Sequence, residues 1–206
     1  AILSIKESEA YQRFNIDDMN KYRVTHENLP SKDIFKLTND GKAFISIDMR
    51  KANFSSLHHY SADMFGVNTW EEFISKFTDN QHIINSKYIR QVILGNCNPK
   101  RHITYEKYLM DILLTDLLEK HIPIERVVFF SNDEIVIDVS DMNKSRQVLL
   151  AFNIEQHLKD ASPKFKVELF TLYKIHNTDG YYKEILKENG EKDIEFKCLD
   201  NYMMPF

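Results

Sequence analysis

Three acidic residues in this sequence stand where apolar runs end. Asp48 closes Ala43-Phe44-Ile45-Ser46-Ile47-Asp48, and Asp133-Glu134 sits between Val127-Val128-Phe129-Phe130 and Ile135-Val136-Ile137-Asp138-Val139. Carboxylates that converge repel one another unless a cation neutralises them. A site of oxygen donors alone favours Mg²⁺ or Mn²⁺ over zinc. Such ions, held by Asp48, Asp133 and Glu134, could activate a hydroxyl and steady a phosphate leaving group. Each acid also has a plainer reading: Asn132-Asp133 suits a hairpin turn, and Asp48 could cap the helix that follows it. Only their meeting in space distinguishes the two.

The elements decide whether they meet. Residues 43–48 alternate as a strand, with Ile45 and Ile47 on one face and Phe44, Ser46 and Asp48 on the other. Helices are expected at Thr69-Trp70-Glu71-Glu72, a capping box with Phe73, Ile74 and Phe77 as its buried stripe, and from Ser86 to a stop at Gly95. A polar break over Asn96–Arg101 precedes the longest helix, Ile103 to His121, whose stripe is Leu109, Ile112, Leu113, Leu117 and Leu118. The Val127–Val139 hairpin, a helix from Asn143 to Lys159 carrying Val148, Leu149, Phe152, Ile154 and Leu158, and a strand from Phe165 to Tyr173 come next. Two shorter strands, Tyr181–Leu186 and Ile194–Leu199, close the pattern. Residues 1–40 are polar and weakly periodic, with Tyr11–Ile16 as a short element.

Strand, helices, strand, hairpin turn, strand, helix, strand is the split βαβ order of a ferredoxin-like α+β domain. It predicts an antiparallel sheet with helices packed on one face and the other face open. In it the strands of Asp48 and Asp133 are neighbours, although the residues are 85 positions apart. The expected organisation is an N-terminal extension (1–42), a core (43–180) with a helical insertion at about 55–102, and a C-terminal β extension (181–206).

The segment Ile45-Ser46-Ile47-Asp48-Met49-Arg50-Lys51-Ala52-Asn53-Phe54 resembles the first palm motif of polymerases and reverse transcriptases. Phe129-Phe130-Ser131-Asn132-Asp133-Glu134-Ile135-Val136 resembles the third, which usually carries paired Asp where this chain has Asp133 and Glu134. The likeness covers roughly residues 43–140. It implies a palm with a finger-like lobe and a Mg²⁺-dependent nucleotidyltransferase. Asp48 and Asp133 would hold metal with Glu134 and the Met49 carbonyl, and Asn53 or Phe54 would sense the sugar. Lys87, Arg90, Lys100 and Arg101, with Arg50, would face the triphosphate. Partners implied are a nucleoside triphosphate and a primer–template or RNA. The Asp133-Glu134 turn is also similar to that of diguanylate cyclases, which place Gly-Gly where Ser131-Asn132 stand, so a cyclic-dinucleotide synthase is a further alternative. A non-catalytic adaptor built on the same sheet, holding RNA or protein, is the reading from a different class.

Composition bounds the rest. The chain has 206 residues, 43% hydrophobic and 12% aromatic, ample for a buried core. A net charge of −4 means that any nucleic-acid contact must come from a local basic patch. No run approaches the ~20 apolar residues of a membrane span, and Cys97 and Cys198 show no metal-ligand spacing and read as reduced, buried thiols. An intracellular or viral setting is therefore expected. The chain opens on Ala1 rather than Met, as expected of a trimmed chain or part of a longer one. Met203-Met204-Pro205-Phe206 reads as a docked tail or the scar of a cut. Neither a Gly-rich phosphate loop, a Ser-His-Asp spacing nor a Cys-His zinc pattern is present.

Overall fold

A computed structural model describes residues 1–200, so the Met203–Phe206 segment and the end of the C-terminal extension lie outside the described residues. Strand β1 (Ala43–Met49) is followed by a helical stretch: α3 (Ala52–Tyr60), α4 (Trp70–Ile74), α5 (Gln81–Ile84), α6 (Lys87–Gly95) and the long α7 (Pro99–Lys120). Strands β2 (Val127–Phe130) and β3 (Glu134–Asp138), helix α8 (Lys144–Leu158), and strands β4 (Phe165–Lys174), β5 (Tyr181–Leu186) and β6 (Lys192–Lys197) complete the order. Two short helices, α1 (Ile2–Glu7) and α2 (Glu9–Ile16), precede it. The six strands form one antiparallel sheet in the order β2-β3-β1-β4-β5-β6. Hairpin β2–β3 therefore lies on one side of β1, and β4 on the other.

Alternation along β1 decides what covers each face. Ile45, Ile47 and Met49 join Ile135, Ile137 and Leu169 in the main core, where α7 buries Tyr105, Leu109, Met110, Leu113, Leu114 and Leu117, and α8 adds Ile154 and Leu158. Phe44 points to the opposite face and packs in a second, smaller core with Val136, Phe170, Leu172 and Tyr181.

That second core corrects the expectation of an open far face. The segment after α2 wraps around the sheet: the Pro30 carbonyl accepts the Phe130 amide on edge strand β2 at 2.8 Å, and Ile34 and Phe35 then cover Phe44 and Phe170. Part of the far face is thus closed by residues expected to form an N-terminal extension. The wrap also occupies an edge strand that would otherwise offer unpaired backbone groups. Asp111 on α7 fastens it. This buried carboxylate accepts from the amide and hydroxyl of Thr25 at 2.9 and 2.7 Å, and from the amide and Nδ1 of His26, both at 2.9 Å. The hydrogen bonds outweigh burial and hold its pKa below the usual carboxylate range.

Several helix expectations also shift. The polar break before α7 is its first turn: Pro99 starts the helix, as Pro is suited to do at that position. Ile112 is half-exposed while Met110 and Leu114 are buried, so the buried stripe is rotated from the expected one. Phe77 lies outside α4 and is exposed, whereas the Thr69–Glu72 capping box forms as expected. On α8, Val148, Leu149 and Phe152 are exposed, and only the C-terminal half of its stripe is buried. Cys97 is a buried free thiol, but Cys198 is exposed. Trp70 is fully buried as packing. No helix among the described residues is long and apolar enough to cross a membrane.

Asp111→Ala removes the charged acceptor of four hydrogen bonds from Thr25 and His26, so a loss of roughly 3 kcal/mol is expected. Thermal denaturation should show it as a fall in Tm of about 6–12 °C for a chain of this size. A fall under ~2 °C would mean that the wrap is held elsewhere.

Candidate acidic site

Register brings the sequence-distant acids together. Asp48 stands directly opposite Glu134 across the β1–β3 ladder, on the far face of the sheet. The turn is locked to β1 from the backbone as well, because the Met49 amide donates to the Asp133 carbonyl at 2.8 Å. Asp48, Asp133 and Glu134 are therefore neighbours. On the other side of β1, Ser46 faces Glu168 and Asp48 faces Lys166 on β4. Glu168 is a fourth acid of the site, which the sequence reading missed. Its signal was the alternation of β4, where Lys166 and Glu168 share a face with the buried Phe170.

The electrostatics follow from that crowding. Asp48 is half-buried, and its carboxyl is pushed up to about 6, first by burial and then by Glu134, Asp133 and Glu168, with Lys166 pulling partly back. Each other acid has its own local partner. Glu134 Oε1 accepts from the Ser46 hydroxyl at 2.6 Å, Asp133 Oδ1 accepts from Ser131 at 3.0 Å, and Glu168 is paired with Lys166. Among the described residues, no three His, Cys, Asp or Glu side chains are gathered closely enough to form a ready-made metal cage.

The turn itself is anchored from beneath. Asn132 donates from Nδ2 to Glu106 Oε2 at 2.5 Å, and the other Glu106 oxygen lies 3.2 Å from Nδ1 of His102, both residues being buried on α7. Ser131 adds a local clasp, its hydroxyl accepting from the amides of Asp133 and Glu134 at 3.3 and 3.0 Å. A buried carboxylate is tolerated only with such partners. It ties the short acidic turn to the longest helix, and nothing in the spacing of Glu106 and Asn132 announces it.

The remaining expected site residues divide. Phe54 is buried against Phe65, with ring centroids 4.7 Å apart, and near Trp70, so its ring is core and has no face free for a sugar. Asn53 is half-buried and its side-chain oxygen accepts the Phe54 amide at 2.9 Å. Met49 has a buried side chain, and its amide is spent on Asp133. Arg101 is committed to the N-terminal helices, donating to the carbonyls of Phe14 and Asp17 at 2.7 and 2.5 Å and lying over the Phe14 ring. Lys87 and Lys100 are exposed, whereas Arg90 is buried. His58 and His59, adjacent on α3, reach separate partners, the Val67 carbonyl and the Tyr105 hydroxyl.

Arg50 lines a cleft of about 740 Å³ whose walls include Lys166, Glu168, Ile185 and Glu195. Asp48, Asp133 and Glu134 are not part of its lining. Glu168 and Lys166 are thus the residues shared by the cleft and the acidic row.

No protein-family model matches this chain, and no curated protein matches its sequence.

Because the folded-state pKa of Asp48 lies above its unfolded value, its favourable contribution is present below about pH 4 and lost as pH rises through about 6. Asp48→Asn should therefore stabilise the protein at pH 7.5. The shift of about 2 pH units would correspond to roughly 3 kcal/mol, and solvent screening at a half-buried site reduces the expectation to about 1 kcal/mol. Urea denaturation at pH 7.5 and 4.5 checks it: the gain should fade at the lower pH. An equal effect at both pH values would contradict the acidic crowding.

Proposed function

We propose that this protein is a Mg²⁺-dependent nucleotidyltransferase built on a ferredoxin-like palm. The observation that carries the reading is the register that sets Asp48 opposite Glu134 with Asp133 bonded to Met49, an oxygen-donor cluster in which Asp48 is short of positive charge. The strand arrangement β4-β1-β3-β2, with α7 and α8 behind it, is the order expected of a split βαβ domain. Short motifs around Asp48 and Asp133 resemble the first and third palm motifs, and the sequence order agrees with both.

The donor chemistry suits a hard divalent cation: Asp48, Asp133 and Glu134 would supply carboxylate oxygens by turning toward it, with Glu168 beside them. Bound there, Mg²⁺ or Mn²⁺ would supply charge neutralisation for phosphoryl transfer. In that reaction an O–P bond forms between an acceptor hydroxyl and the α-phosphorus, the α–β bridging bond breaks, pyrophosphate leaves, and the hydroxyl proton passes to solvent. The protein's own task is positioning. The Ser46 and Ser131 hydroxyls orient the carboxylates, the Glu106–Asn132 contact holds the turn, and Arg50 and Asn53 lie within five residues of Asp48 to meet the nucleotide. A primer end or RNA would lie along the polar half of the far face, toward the cleft beside β5 and β6.

Mn²⁺ together with a nucleoside triphosphate should raise Tm, since both would bind the folded state alone. Incorporation into a primer should fall roughly 100-fold or more in Asp48→Ala and Asp133→Ala, with unchanged far-ultraviolet circular dichroism. Absence of any metal-dependent shift would instead favour an adaptor that uses this face without chemistry. A cyclic product formed from nucleotide alone would mark a cyclic-dinucleotide synthase.

A further inference from the structure

Just beyond Asp48 in sequence begins a set of charges with an unusual balance. Lys51, three residues after Asp48, adopts a left-handed backbone conformation (φ 49°) at the start of α3. A non-glycine residue pays for that conformation and keeps it only where its surroundings impose it, often at functional sites. Its ammonium donates to both oxygens of Glu71, in the first turn of α4, at 2.5 and 2.7 Å. Both side chains are more than a third exposed, at 38% and 36%.

Behind this pair is Arg90, on α6, which packs against α3. Arg90 is only 9% exposed, its Nε has no hydrogen-bond partner, and among the described residues no carboxylate lies within ion-pair distance of it. Glu71 is the acid whose field reaches it, and burial outweighs that field to hold the guanidinium pKa below its usual value. A mostly buried guanidinium that lacks a hydrogen-bonding anion is costly, and here the Nε donor has neither water nor a partner. The comparison of energies favours exchange. An exposed Lys–Glu pair contributes little, whereas a hydrogen bond from a desolvated donor to a charged group contributes more.

We propose that Lys51 and Arg90 form a clamp for the phosphates of a polyphosphate ligand, with Glu71 as a built-in counterion that occupies Lys51 until phosphate displaces it. The proposal deepens the nucleotidyltransferase reading and rests on it for the identity of the ligand as a nucleoside triphosphate. Its geometry stands apart from the acids: a clamp three residues beyond Asp48 would hold the phosphates while the acidic row faces the α-phosphorus. Lys51 and Glu71 are missing from the residues expected from sequence, because their pairing across 20 positions depends on how α4 docks beside the start of α3. Lys87, on the same helix as Arg90 but exposed, is not required for it.

The test is calorimetric titration of inorganic tripolyphosphate in EDTA, with ATP as a second arm and single-stranded oligodeoxythymidylate as a third. Glu71→Gln should bind tripolyphosphate three- to tenfold more tightly than the native chain, and Lys51→Met about tenfold more weakly. Lys51 is exposed and Glu71 half-exposed, and circular dichroism checks the fold of both variants; Arg90→Lys, checked the same way, should also weaken binding. ATP should follow the same order, which would place recognition in the phosphates rather than the base. Glu71→Gln and Lys51→Met within twofold of the native chain, or binding of oligodeoxythymidylate but not of tripolyphosphate, would overturn the clamp. Metal-free binding is separate from incorporation. If incorporation with Mg²⁺ fails while the tripolyphosphate order holds, the nucleotidyltransferase reading falls and the clamp stands. If incorporation proceeds while the order fails, the reverse applies.

Discussion

The constraint on which the rest depends is the antiparallel register between β1 and β3, which sets one carboxylate opposite another. A slip of one residue would turn Asp48 into the core and Ile47 out of it, so the apolar alternation of both strands enforces the acidic contact. Like charges facing each other are unfavourable in a ladder. The molecule accepts this at the end of the sheet and offsets it locally, with a serine hydroxyl on Glu134, another on Asp133, and a lysine on Glu168. Asp48 has no such hydrogen bond among the described residues, and it is the acid whose proton affinity rises.

Around that crowded row the fold divides its labour. The helix face is a continuous apolar core in which α7 is the spine, and α7 also holds both ends of the far face. Glu106 holds the acidic turn, and Asp111 holds the segment that closes the apolar half of the far face. Two buried carboxylates five residues apart on one helix thus organise opposite ends of the same surface. The far face changes character along β1 within three alternate positions, from Phe44 under Ile34 and Phe35, through Ser46, to Asp48. Closing the apolar part concentrates the exposed polar groups at the other end, where the lower dielectric around the partly buried acids strengthens their attraction for any cation.

What the sequence by itself determined was the order of elements and the parity of residues along them. Period-2 alternation placed Ile45 and Ile47 in one layer and Phe44, Ser46 and Asp48 in the other, and the helix–strand order implied that β1 would neighbour the hairpin. Capping chemistry at Thr69 and Ser86 was equally local and equally legible. These features depend on residues within a turn or two of each other, where backbone geometry leaves few choices. Tertiary structure alone decided the rest. It made Arg101 a cap for carbonyls 84 and 87 positions away, buried Phe54 among aromatic rings, brought Glu168 to the acids, and paired Lys51 with Glu71. Each of these rests on the docking of segments distant in sequence, and that docking is set by shape and burial summed over the whole core, which no local pattern of residue types encodes.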